Sequence, residues 1–141
     1  MEKRVYTTTE LEKYVKNQIE EKLDNVDWKN IKFEEGSNNS VEGTYIFAKE
    51  KKYHILFAEK GRIREDKITT DEKVVITSVL DIISFDIAMN FAINNREKNK
   101  DFRRKLFEKE VEIYALFGEE FRNAKKREID LILKENPFND I

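Results

Sequence analysis

The sequence predicts an α+β fold: an N-terminal helix, a small antiparallel β-meander, and then three helices packed on the sheet. Three observations carry this. Apolar residues recur at helical spacing near the start of the chain, alternate with polar ones between residues 31 and 58, and return to helical spacing from residue 72 to 135. At 141 residues the chain can bury a core without disulfides or a structural metal. With four Gly, one Pro and no low-complexity linker, residues 1–141 are expected to form a single domain.

In "TTTELEKYVKNQIEEKLDNV", Thr7 stands three residues before Glu10, the spacing of a capping box, and Leu11, Tyr14, Val15, Ile19, Leu23 and Val26 then recur as one stripe. After Trp28 the pattern changes. Ile31 and Phe33, the polar loop "EEGSNNSVEG", then "TYIFA", "EKK" and "YHILFA" read as two or three strands separated by turn-forming clusters. The segment "EKGRIREDKITTD" is too charged for a core and is expected to lead the chain out of the sheet, with Thr70 or Asp71 capping the next helix. Helices are predicted over residues 72–94, 101–117 and 119–135, with Gly118 at the break and Pro137 just past the last one.

Charge and composition remove several classes of function. Charged residues make up 40% of the chain, but 27 Lys plus Arg and 29 Asp plus Glu leave a net charge of -2. Nucleic-acid binders are usually clearly basic, so no nucleic acid is expected as a partner. No cysteine is present, which excludes disulfides, thiolate metal sites and cysteine nucleophiles. The start "MEKRVYTTTELEK" lacks the apolar stretch of a secretory signal, so a cytoplasmic location is expected. "VVITSVLDIISFDIAMNFAI" is long enough to span a bilayer, but Asp81 and Asp86 interrupt it. It is read as a core helix, with no membrane partner.

Catalytic equipment is sparse. His54 is the sole histidine and lies in a predicted strand, no G-x-S-x-G elbow supplies a nucleophile beside it, and the glycines form no phosphate-binding spacing. No helix carries the Glu-x-x-His pair of carboxylate-bridged metal sites. The basic stretches "KEKK" and "FRRK" read as a solvated turn and a helix start. Catalytic residues, metal ligands and cofactors are therefore all expected to be absent.

Helical projection leaves one puzzle. Arg103 falls in the same arc as Phe102, Leu106, Phe107, Val111, Ile113, Tyr114 and Phe117, with Glu110 beside that arc and Arg104 at its edge. Asp86 falls among Val75, Val79, Ile82, Ile83 and Ile93, and Glu128 among Phe121, Ala124, Leu131 and Ile132. Buried charges need partners. The expectation is a structural ion-pair network of Asp86, Arg103, Glu110 and Glu128, with Arg103 buried and paired to Asp86.

"DFRRKLFEKEVEIYALFG", together with "EKGR", "TTDE", "FDIAMNFAI" followed by "NNR", and the terminal "ENPFND", resembles the bacterial immunity protein 63 family over roughly the last two thirds of the chain. The chain departs from the family pattern at Glu110, where glutamine is common, and at Asn136, where histidine is. Such proteins are encoded beside polymorphic toxins, and the resemblance implies a non-enzymatic protein that binds a cognate toxin domain tightly. If that toxin is basic, the acidic residues Glu34, Glu35, Glu42, Glu59, Glu65 and Asp66 are the expected contacts. The alternative reading is a small scaffold or regulatory module that binds a protein unrelated to toxins. A third is an enzyme, for which a deep polar pocket would be the sign.

Overall fold

The computed structural model of the chain describes residues 4–141. The element order is α1 (Thr8–Glu20), β1 (Ile31–Lys32), β2 (Gly43–Lys49), β3 (Lys52–Glu59), β4 (Arg62–Thr69), α2 (Glu72–Asn94), α3 (Arg103–Ala115) and α4 (Glu119–Glu135). The fold is α+β, with an N-terminal helix, a four-stranded sheet and three helices. By internal packing the chain forms two compact units, Met1–Val79 and Leu80–Ile141, the division falling within α2.

In the first unit the capping box is complete: Thr7 Oγ1 accepts the Glu10 N–H, and the Glu10 carboxylate accepts the Thr7 N–H. The predicted stripe buries Leu11, Val15 and Ile19 fully. Two hydrogen bonds tie the start of α1 to the sheet, one from the Ala48 N–H to Thr8 Oγ1 (2.9 Å) and one from the Tyr6 N–H to the Tyr53 hydroxyl oxygen (2.9 Å). Burial pushes the Tyr53 phenol up to about 12.

The strand order is β1-β2-β3-β4, with β2, β3 and β4 antiparallel. The sheet differs from the predicted antiparallel meander in two respects. The sheet is mixed, because β1 pairs with β2 in parallel. The charged segment after residue 61 also stays in the sheet as β4, an edge strand. Seven of its eight residues are exposed, so no apolar pattern is required of it. Both hairpins use two-residue turns with positive φ at each central residue, Glu50 (51°) with Lys51 (62°) and Lys60 (53°) with Gly61 (75°). The loop between β1 and β2 folds back over the sheet at Gly36. Here a Cβ would lie 2.6 Å from Cγ of the buried Tyr45.

Asp71 caps α2, its carboxylate accepting the Lys73 N–H at 2.9 Å. α2 is long and apolar enough to cross a membrane; one line along it, Ile76, Leu80, Ser84, Ala88 and Ala92, is buried, while Phe85 is exposed. A neighbouring buried line, Val75, Val79 and Ile83, ends before Asp86, which is exposed, as is Ile93. In the second unit Ala88, Ala92, Leu106, Phe107 and Ile129 form a core, flanked by Met89, Phe102, Val111, Leu133 and Phe138.

Gly36→Ala tests the loop crossing. The new methyl meets the root of the Tyr45 ring, which cannot swing aside, so a loss of about 1–3 kcal/mol is expected in denaturant unfolding.

Candidate functional site

The arginine that projects onto the apolar arc of α3 belongs to a polar clasp at the helix start. Asp101, two residues before Arg103, accepts four donors: the Arg103 backbone N–H (2.9 Å), its Nε (3.3 Å), its Nη2 (2.9 Å) and the Asn139 N–H (2.8 Å). Arg103 Nη2 also donates to the Pro137 carbonyl at 2.9 Å. A second carboxylate, Asp140, accepts the Asp101 N–H (2.7 Å) and Arg104 Nε (3.1 Å), with Arg104 Nη2 at 2.9 Å. Phe138 lies between these pairs, 4.1 Å from the Arg104 guanidinium and 6.1 Å from the Phe107 ring. "DFRR" and "NPFND" thus bind each other.

This overturns the expected pair of Arg103 with Asp86. Arg103 is half-buried and bonded to Asp101, and Asp86 stands on an exposed part of α2. Helical projection places a first-turn residue on a face but takes no account of the chain before the helix, and here Asp101 supplies the partner.

Glu110 and Glu128 do meet in a charge cluster, centred on a cation the sequence reading passed over. Lys125, with its side chain 6% exposed, places Nζ 3.0 Å from Glu128, 3.9 Å from Glu110, 3.9 Å from Asp81 and 4.6 Å from the Tyr114 ring. The Tyr114 hydroxyl donates to the Asp81 carboxylate. Burial raises the Glu110 carboxyl above its ordinary value, opposed by Lys125 and reinforced by Glu128 and Asp81. The signal for Lys125 was legible: it sits four residues from both Phe121 and Ile129, on the apolar side of α4.

Beside the clasp, α3 and α4 frame an open groove of about 570 Å³. Phe107, Val111, Ile129, Leu133 and Phe138 supply its apolar lining, and Arg104, Lys105 and Lys126 are among the charges around it.

The predicted acidic contacts all lie in the first unit. Glu34 and Glu35 follow β1, Glu42 precedes β2, Glu59 ends β3, and Glu65 and Asp66 lie in β4. Two are engaged within the fold, Glu35 with Lys49 at 2.8 Å and Asp66 with His54 at 3.2 Å. The sole histidine is also stacked on Phe47, with ring centroids 4.9 Å apart and planes 3° from parallel.

A family model described as immunity protein 63 matches residues 49–131, more than half of the chain. The chain belongs to the immunity protein 63 family. The match takes in β3, β4, α2, α3 and most of α4, so it includes Asp101, both clasp arginines and Lys125, while α1, β1 and the closing "NPFND" lie outside it. Comparison with curated proteins and with solved structures returns no match.

The clasp carboxylates and Glu110 respond to pH with opposite signs. Arg103, with the Asn139 and Arg103 backbone N–H groups, holds the Asp101 carboxyl well below the usual carboxylate range. Arg104 and the Asp101 N–H lower Asp140 in the same way. Lowered folded-state values give stability that is fully present above the unfolded carboxylate range near pH 4, declines below it, and is lost as pH falls through the lower folded-state values. Asp101→Asn is expected to lower the melting temperature at pH 7 and to narrow its gap to the parent at pH 3, with Asp86→Ala neutral at both. Thermal unfolding followed from pH 7 to pH 3 checks it.

Removing Lys125 leaves Glu110 buried without its cation. Lys125→Ala is expected to cost about 3–5 kcal/mol, and Lys125→Met with Glu110→Gln to recover part of the loss. Because the raised value of Glu110 marks a charge held against its environment, Glu110→Gln alone is expected to be neutral or stabilising at pH 7. Denaturant unfolding of the four proteins gives the comparison.

Proposed function

We propose that this protein neutralises a toxin domain by forming a tight one-to-one complex in the cytoplasm, without turnover. Membership of the immunity protein 63 family over residues 49–131 is the observation that carries this reading. Stoichiometric inhibition calls for a rigid surface with apolar anchor points and a charged rim, and the groove beside Phe138 offers both. The most buried cation, Lys125, is spent on internal carboxylates, and His54 is held between Phe47 and Asp66. Glu34, Glu35, Glu42, Glu59, Glu65 and Asp66 would speed the approach of a basic toxin.

Titrating the toxic activity of the adjacent gene's product against the purified protein tests the proposal. The expected equivalence point is one to one, with dissociation in the nanomolar range or tighter and an interface above roughly 1,000 Å². Association should slow as salt rises while dissociation changes less. Protection far below stoichiometric amounts would make the protein an enzyme acting on the toxin or its product.

A further inference from the structure

β4 is an edge strand with a usable ladder. The two-residue turn makes Lys49 and Lys52 a hydrogen-bonded pair, and alternation along the register then turns the backbone groups of His54 and Leu56 toward β2. Their partners on β4 are Ile68 and Asp66. The N–H and C=O groups of these two residues therefore face away from β3, along the outer edge of the sheet. The start of β4 is closed off, because the Ile63 N–H donates to Asn38 Oδ1 at 3.0 Å and an irregularity opposite Phe57 and Ala58 leaves Arg64 as an extra residue. Beyond it, Glu65 to Ile68 are exposed, and Ile68 keeps 52% of its surface.

The charges along this edge select what can pair with it. From Ile63 to Ile68 the order is apolar, positive, negative, negative, positive, apolar, which reads the same in both directions. Two copies pairing antiparallel through these outward groups would set Asp66 of one copy against Ile68 of the other, which places Lys67 opposite Lys67. Like charges directly opposite destabilise a ladder, so the edge disfavours a second copy of this chain. A foreign strand with acids at the outer positions and bases at the inner ones would meet every charge with its opposite.

We propose that β4 is a strand-addition site, at which an extended segment of the toxin pairs antiparallel along residues 64–69 through the outward backbone groups of Asp66 and Ile68. The segment has the complementary order apolar, acidic, basic, basic, acidic. This rests on the toxin-binding reading for the identity of the partner. Main-chain hydrogen bonds supply the affinity, and the charge order supplies the selection.

The test uses the full chain and a cyclised hairpin peptide whose free strand reads Val-Glu-Lys-Lys-Glu. The control peptide reads Val-Lys-Glu-Glu-Lys. Amide hydrogen exchange at Asp66 and Ile68 is expected to slow by about tenfold or more with the first peptide at saturation and to stay unchanged with the control. The charge-exchanged chain, R64E/E65K/D66K/K67E, should reverse that preference. Ile68→Pro removes only an outward N–H, so it should keep its β3 protection and lose the response. No slowing by either peptide, equal slowing by both, or a stable β4-to-β4 dimer of the free chain would overturn the proposal. The toxin titration reads the broader function separately. One-to-one neutralisation with β4 amides still exchanging freely in the complex would leave that function standing and remove this site.

Discussion

The C-terminal unit is organised by one carboxylate. Asp101 lies just before α3, and by accepting the Arg103 N–H it fixes where that helix begins. By accepting the Asn139 N–H it also fixes where the last residues of the chain run. Phe138 is carried with them, against Phe107 and under the Arg104 guanidinium, and becomes a wall of the α3–α4 groove. Helix start, chain end and groove are thus set by one group with four donors, each aimed at a negative charge.

The Lys125 cluster solves a different problem. Its cation is buried while two of its three carboxylates, Asp81 and Glu128, are more than half exposed. Water therefore solvates much of the negative charge, and the desolvation that makes buried ion pairs costly falls mainly on Lys125 and Glu110. The arrangement reaches from α2 to α3 and α4, so it constrains how these segments of the second unit align while contributing little net attraction.

Much of the fold was legible in the sequence. The capping box at Thr7 and Glu10, the stripe Leu11, Val15 and Ile19, the strands β2 and β3, and the break at Gly118 each follow from a local rule, and each is present, although β2 is buried over five consecutive residues instead of alternating. β4 was lost because an edge strand with both faces exposed carries no hydrophobic period. The parallel pairing of β1 has no local signal at all in a strand of two residues. Arg103 was placed correctly on its helix and given the wrong partner, since its true one lies in the preceding loop. Asp86 was misjudged because one buried line of α2 stops at Ile83, a change that a single projection of the whole helix averages away.

The two tight turns of the meander also bear on how the sheet assembles. Closing a two-residue loop costs little chain entropy, and β2, β3 and β4 follow one another with only such turns between them. The parallel contact of β1 with β2 must instead close the ten residues between them, and its loop can settle only after Tyr45 offers its ring to Gly36. Chain entropy thus favours hairpin closure as the early event and the docking of β1 as a late one.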